Sequence, residues 1–278
     1  MNRSVLVAAL LVAGCPSSPV EPQLAEAPTT PTPAPVSESV APSVTPLSKD
    51  ALRAIVEAPD RTDRDREADP RRVPVEMLAF LGVHEGMRVA DIGAGTGYTT
   101  ELLARAVGPD GEVVGHNTPF VLKRFAEEGW SARLAKPINA NVTRVDRPFD
   151  DPFGAEIRDL DAAINVLFYH DFVWQEIDRP AHNRGVFAAL RPGGVYVVID
   201  AHAAEGAGGS VSQTLHRIER TMVIEEVTAA GFVLDDEADF LRNPSDTRDW
   251  NALPWRSERE EFSDKFVLKF RKPHSQGQ

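Results

Sequence analysis

The chain has 278 residues, of which 42% are apolar and 26% charged, with a formal net charge of −12 and a single cysteine. One cysteine excludes a disulfide framework within the chain, and the acidic balance argues against binding to nucleic acid, which requires clustered Lys and Arg. The apolar content is that of a globular protein of one or two domains, so we expect a small or neutral partner.

The first fifteen residues predict an export signal. Arg3 supplies a positive charge, and residues 5–13 form an apolar run that is too short to cross a ~30 Å hydrocarbon layer as a helix. The run ends in Val12-Ala13-Gly14-Cys15, which resembles the bacterial lipobox, where the cysteine carries lipid. Residues 1–14 are therefore predicted to be a lipoprotein signal peptide, and an ordinary signal peptide is the alternative. The lipoprotein interpretation places the domain in the bacterial cell envelope, outside the cytoplasm and anchored to a membrane through Cys15.

A Pro-rich linker is predicted to follow at residues 15–48. Nine prolines lie among Ser, Thr, Ala, Val and Glu, with no aromatic residue. Such a composition favours an extended tether, because it offers little apolar surface to offset the entropy of ordering. We therefore predict that the folded part of the chain begins at residue 49 and that residues 49–278 form one domain.

Strands and helices alternate along this domain. In chain order the pattern predicts a helix at 52–56, a solvated charged loop at 60–72, a helix at 74–81, a strand at 87–92, a helix at 98–107, a strand at 112–115, a helix at 121–134, strands at 142–145 and 160–168, a helix ending at 190, a strand at 195–199, a helix at 218–230, and strands at 232–240 and 265–270. The alternation predicts an α/β fold with a doubly wound, mostly parallel seven-stranded sheet. The last two strands have no helix between them and predict an antiparallel edge strand. Ligands of such sheets bind beyond the carboxyl ends of the strands.

The strongest chemical signal is a glycine loop between a strand and a helix. It reads Asp91-Ile92-Gly93-Ala94-Gly95-Thr96-Gly97-Tyr98. A dinucleotide fingerprint requires glycine at the place of Tyr98, and a phosphate-binding loop requires a following Gly-Lys-Ser/Thr, so neither pattern fits. The alternative interpretation is a turn between the strand and the helix that binds no ligand.

The Asp-x-Gly-x-Gly-x-Gly form resembles motif I of the class I S-adenosylmethionine-dependent methyltransferases, over about residues 74–273. The chain is also similar to a bacterial lineage of predicted exported methyltransferases. The resemblance implies a Rossmann-like methyltransferase fold and S-adenosyl-L-methionine as cofactor. It assigns cofactor binding to Asp91, Gly93, Ala94, Gly95 and Gly97, with the acid placing the amino group of the cofactor.

Two further positions match the superfamily unevenly. Asn117 stands where most members place an acid that binds the ribose hydroxyls, and it brings no charge. The segment Phe149-Asp150-Asp151-Pro152 resembles the one that touches the adenine, which assigns Asp150 or Asp151 to the exocyclic amine. A solvated turn explains these two acids equally well.

The candidate catalytic residues are Tyr169 and His170. They follow the strand at 160–168, where the superfamily places residues beside the transferred methyl group. Histidine has the pKa of a general base, which an acceptor hydroxyl or amine requires. The alternative places Tyr169 in the core and uses His170 to satisfy a backbone group. His116, His170 and His202 each fall at the carboxyl end of a strand, but no His-x-x-His or Cys pair supports a shared metal, and none is predicted.

Two functions of different class remain open. The first is methyl transfer to a small-molecule or lipid-associated acceptor, and the second is a non-catalytic, membrane-anchored binding lipoprotein that retains the fold. Arg242 and Arg248 lie in a charged loop that either closes over an acidic substrate or is held by its own ion pairs.

Overall fold

The computed structural model describes residues 45–253 and 262–274. The predicted signal peptide, Cys15 and most of the predicted linker lie outside the described residues. Within them the helices are α1 (Lys49–Val56), α2 (Asp63–Arg72), α3 (Pro74–Leu81), α4 (Tyr98–Val107), α5 (Pro119–Val121), α6 (Glu127–Leu134), α7 (Asp171–Trp174), α8 (Arg179–Ala189), α9 (Ser212–Leu215) and α10 (Arg220–Ala229). One π-helical segment, Leu122–Ala126, joins α5 to α6.

The strands form one sheet, as the alternating pattern predicts. They are β1 (Arg88–Ile92), β2 (Glu112–Asn117), β3 (Val142–Asp146), β4 (Leu160–Val166), β5 (Leu190–Ala201), β6 (Val233–Ala238) and β7 (Lys265–Arg271), in the spatial order β3-β2-β1-β4-β5-β7-β6. The pairings from β3 to β5 are parallel, and β7 pairs antiparallel with both β5 and β6. The predicted seven-stranded, mostly parallel sheet with an antiparallel edge is confirmed.

Helices cover both faces of the sheet, because the central strands bury side chains on both sides. Val89 of β1 belongs to the same core cluster as Leu78, whereas its neighbour Ala90 belongs to a second cluster with Trp130 and Tyr196. The order of the strands reverses direction next to β1, which places the carboxyl ends of β1 and β4 at the switch point where ligands bind in such folds.

The charged stretch 60–72 differs from the prediction, because most of it forms α2 instead of a solvated loop. The Thr62 side chain accepts a hydrogen bond from the Asp65 N–H, acids occupy the first turn, and Arg71 and Arg72 occupy the last. These features cap the helix and complement its dipole. Tertiary contacts stabilise it further, since Asp65 pairs with Arg133 at 2.9 Å.

The described helices include none that is both long enough and apolar enough to span a bilayer.

Candidate functional site

The glycine loop follows β1, at the end of the sheet where the parallel strands have their carboxyl ends and where ligands bind in such folds. Gly93, Gly95 and Gly97 all have left-handed backbones, with φ of 72°, 57° and 83°. A Cβ on Gly93 would lie 2.9 Å from the Phe168 ring, and one on Gly97 would lie 2.6 Å from the Trp130 ring. A Cβ on Gly95 would meet nothing within 4 Å. Two of the glycines therefore accommodate the protein's own aromatic rings, whereas Gly95 faces open space.

Asn117 holds this loop in place. Its Oδ1 accepts from the Gly95 N–H at 2.9 Å, and its Nδ2 donates to the Gly95 carbonyl at 3.0 Å. An ionised carboxylate could accept from the N–H but could not donate to the carbonyl. The amide of Asn117 does both, which explains why an asparagine suits this position although most members of the superfamily have an acid there. The contact between Asn117 and a ribose stays a prediction.

Asp91 is a buried carboxylate at the end of β1. Thr100 Oγ1 donates to its Oδ2 at 2.6 Å. Burial raises the pKa of Asp91 to about 6, against the opposing effects of Thr100 and of the positive charge of Arg72. In residues 45–253 and 262–274, no Lys, Arg or His nitrogen lies within ion-pair distance of this carboxylate. Asp91 therefore lacks the cationic partner that a buried acid ordinarily requires.

Arg72, the last residue of α2, is a cation whose charge acts on Asp91. Its guanidinium lies 4.7 Å from the centre of the Tyr98 ring, and burial lowers the pKa of Arg72 while Tyr98 and Asp91 oppose that effect. The described part of the chain offers its side chain no hydrogen bond or ion pair. Arg72 was not predicted as a site residue because residues 60–72 were expected to be a loop; the available signals were the cap at Thr62 and the basic residues at 71 and 72.

An ion-pair network holds α2 against the glycine loop. Arg133 pairs with Asp65 of α2 at 2.9 Å and with Glu101 of α4 at 2.7 Å, and its Nε donates to the Thr96 carbonyl at 2.7 Å. All three charged side chains are largely buried. One guanidinium therefore joins α2, whose last residue is Arg72, to α4 and the loop.

The predicted adenine segment is a surface turn. Asp151 pairs with Arg147 and accepts from the Gly154 N–H at 3.1 Å, so it stabilises the turn. Asp150 is exposed. Its contact with a cofactor stays a prediction.

Tyr169 lies in the core, as the alternative interpretation held. It is fully buried, and its hydroxyl accepts from Asn183 Nδ2 at 2.8 Å and donates to Glu226 Oε2 at 3.0 Å. Burial and the charge of Glu226 raise the pKa of Tyr169 well above its usual value. The catalytic role predicted for Tyr169 does not fit this arrangement, because the turn after β4 directs the ring into the core.

His170 has both ring nitrogens engaged. Nδ1 lies 2.8 Å from Asp200 Oδ1, and Nε2 lies 3.2 Å from Asp171 Oδ1 and 3.3 Å from His216 Nδ1. Burial opposes the charged ring, but Asp200 and Asp171 outweigh it and raise the pKa of His170 to about 10. A ring that is already protonated at neutral pH cannot accept a proton, so the predicted role as general base does not fit. Its backbone N–H also donates to Asp200 Oδ2 at 2.8 Å.

The other histidines of the sequence analysis lie elsewhere. His116 Nε2 contacts the Arg147 carbonyl at 3.0 Å, and the His202 ring packs on Phe266. The structure brings His170 together with Asp171 and His216 instead, within 4.8 Å of one another. Sequence reasoning missed His216, which follows α9 and lies far from His170 along the chain.

The charged loop is held by its own ion pairs. Arg242 and Arg248 both pair with the buried Asp264 at 2.8 Å. Of the two alternatives for this loop, the structure therefore supports the one without a substrate.

Comparisons with known proteins agree with the fold. Residues 64–134, about a quarter of the chain, match the family model for protein-L-isoaspartate(D-aspartate) O-methyltransferase. No curated protein matches the sequence. A SAM-dependent methyltransferase from Aquifex aeolicus is 12% identical with a TM-score of 0.53, over 81% of this chain and 99% of that chain. An arsenic(III) S-adenosylmethionine methyltransferase from Chlamydomonas reinhardtii is 17% identical with a TM-score of 0.51, over 82% and 75%. Identities this low show a shared Rossmann-like methyltransferase fold and assign no acceptor.

Proposed function

We propose that the folded domain binds S-adenosyl-L-methionine on the glycine loop and transfers its methyl group to a small-molecule or lipid-associated acceptor. The observations that carry this proposal are two opposite charges, Asp91 and Arg72, that make no ion pair in the described part of the chain, and a loop glycine, Gly95, that faces open space. The family match spans both of these charged residues and the whole loop.

The charges of the site fit the amino-acid end of this cofactor, which carries an ammonium and a carboxylate. The buried carboxylate of Asp91 complements the ammonium, and the guanidinium of Arg72 complements the carboxylate. An ammonium paired with Asp91 and a carboxylate paired with Arg72 would lower the free-energy cost of leaving each charge without an ion-pair partner away from water. Gly95 allows a ligand to approach the backbone because it has no Cβ.

The chain's own residues contribute binding and alignment. When bound, S-adenosylmethionine supplies an electrophilic methyl group on a sulfonium. Neither Tyr169 nor His170 presents a free basic atom, so the residues described above would act by holding the reactants within ~3 to 3.5 Å of each other.

Arg72 allows a direct test, because its neighbour Arg71 has the same charge on the same helix and contacts only the Phe262 ring among the described contacts. Arg72→Ala should weaken binding of S-adenosylhomocysteine about 10- to 100-fold, the worth of a charged hydrogen bond. Binding of 5′-methylthioadenosine, which lacks the amino-acid end, should change less than about threefold. Arg71→Ala should bind both ligands as the unaltered chain does. Equal affinities for S-adenosylhomocysteine in both variants would contradict the proposal.

We also propose that the protein is a lipoprotein of the bacterial cell envelope. Support comes from the sequence alone: a positive residue, a short apolar run, and the single cysteine of the chain at the position that a lipobox requires. Cys15→Ser should move the protein from the membrane fraction to the soluble one or stall it as an uncleaved precursor. Unchanged fractionation and intact mass would contradict this anchor.

A further inference from the structure

We propose that His170 Nε2, Asp171 Oδ1 and His216 Nδ1 bind a divalent cation of the zinc type. The three atoms form a nearly equilateral triangle at the carboxyl end of β4. Its sides are 3.2 Å from His170 to Asp171, 3.3 Å from His170 to His216, and 3.5 Å from His216 to Asp171.

The size of this triangle matches one face of a tetrahedral site. Zinc binds imidazole nitrogen at about 2.0–2.1 Å, which sets tetrahedral ligand atoms about 3.3 Å apart. Adjacent ligands of an octahedral site with the same bond lengths would be about 2.9 Å apart. Three ligands on one face leave a fourth position open, as in catalytic zinc sites.

Hydrogen bonding explains the cluster poorly. Asp171 Oδ1 already accepts from Trp174 Nε1 at 2.6 Å, yet both histidine nitrogens also converge on it. Trp174 occupies one of the two lone pairs of this oxygen, so hydrogen bonds from both histidine nitrogens would have to share the other. His216 in addition adopts a left-handed backbone, with φ of 51°, which is unfavourable for a non-glycine residue. A cation between the three atoms satisfies all of them at once.

The surroundings orient the ligands as metal sites require. Asp200 Oδ1 lies 2.8 Å from His170 Nδ1 and would keep the proton on that nitrogen, so a cation would displace only the proton of Nε2, the nitrogen that lies next to the other two ligand atoms. Carboxylate partners of this kind fix the ring of metal-bound histidines, and Trp174 does the same for Asp171.

The ligand types select the cation. Two imidazoles and one carboxylate suit zinc and its transition-metal neighbours, whereas magnesium and calcium prefer oxygen ligands alone. The His170 and Asp200 side chains are 3% and 0% exposed, but His216 and Asp171 are 11% and 17% exposed, which leaves one side of the site open.

The site lies at the same sheet edge as the glycine loop, since Phe168, two residues before His170, packs against Gly93. The open position would take an oxygen or sulfur of the acceptor and lower its pKa, which would activate it for methyl transfer. This use of the site rests on the proposed methyl transfer; binding of the cation does not.

Cobalt(II) is the probe, because it replaces zinc and its visible absorption reports coordination. We expect the full chain, freed of metal by a chelator, to bind one equivalent of cobalt(II) with a spectrum of tetrahedral type that zinc displaces. His216→Ala and Asp171→Asn should each weaken cobalt(II) binding at least about 100-fold, and Asp200→Asn about 10- to 100-fold. His84→Ala, before β1 at the opposite edge of the sheet, is the matched control and should bind normally.

Thermal melting of each variant verifies that it is folded. If His216→Ala does not fold, the isosteric Asp171→Asn variant still tests whether these residues bind the cation. Absence of the cobalt spectrum in the unaltered chain would overturn the proposal, as would equal affinity in the folded Asp171→Asn variant. Neither readout involves S-adenosylhomocysteine, so failure of the metal site and failure of cofactor binding are distinguishable.

Discussion

Gly95→Ala separates the requirements of the fold from those of a ligand. The backbone of Gly95 is left-handed with φ of 57°, and a Cβ there meets nothing within 4 Å. The folded state should therefore lose only the left-handed penalty of about 1–2 kcal/mol, with no clash added. For a domain of this size, each kcal/mol corresponds to a fall of about 2–4 °C in Tm. The new methyl group occupies the open space in front of the loop, so binding of S-adenosylhomocysteine should weaken at least about tenfold, or ~1.4 kcal/mol.

Gly86→Ala is the matched control for backbone strain. Gly86 has φ of 76° and equally open space, but it precedes β1 at the opposite edge of the sheet. Both variants should lose similar stability in thermal melting, while calorimetric titration should show weakened binding only for Gly95→Ala. Unaltered affinity in Gly95→Ala, or an equal loss in Gly86→Ala, would refute the assignment of the loop.

Two further perturbations test the charges around the loop. The pKa of Asp91 rises from 3.8 to about 6 on folding, so the folded protein should lose stability as the pH rises from about 4 to about 6. The Asp91→Asn variant has no carboxylate at this position and should not show that loss. It should therefore be up to about 3 kcal/mol more stable than the unaltered chain at pH 8, but not at pH 4. Urea unfolding at both pH values measures the difference, and an equal difference at both would count against the shift. Arg133→Met should cost about 3–5 kcal/mol because it leaves the buried Asp65 without its ion-pair partner, whereas Arg144→Ala, which breaks a solvent-exposed pair with Glu127, should change stability far less in the same assay. Similar losses in both variants would be inconsistent with the network.

The sequence predicted those parts of the fold that depend on neighbouring residues, such as the ends of helices and the order of strands and helices. The helices at 74–81 and 98–107 have the predicted ends, because Pro74 suits a first helical turn and Gly82 and Gly108 adopt backbones that end a helix. The order of β-strands and helices followed from the same alternation of apolar runs and turns.

Contacts between distant residues explain what the sequence did not predict. The helix α2 depends on Arg133, which lies 68 residues after Asp65. His216 lies 46 residues after His170, on a backbone that no local pattern foretells. The catalytic prediction for Tyr169 assumed that each residue after β4 faces the ligand edge, whereas the turn directs this ring into the core.

Calorimetric titration of the full chain with S-adenosylhomocysteine tests whether the domain binds this cofactor. We expect saturable binding of one equivalent, because the ligand supplies Asp91 and Arg72 with the ion-pair partners that the described residues do not. Absence of binding by both S-adenosylhomocysteine and S-adenosylmethionine would contradict it and would favour a non-catalytic, membrane-anchored lipoprotein that retains the fold.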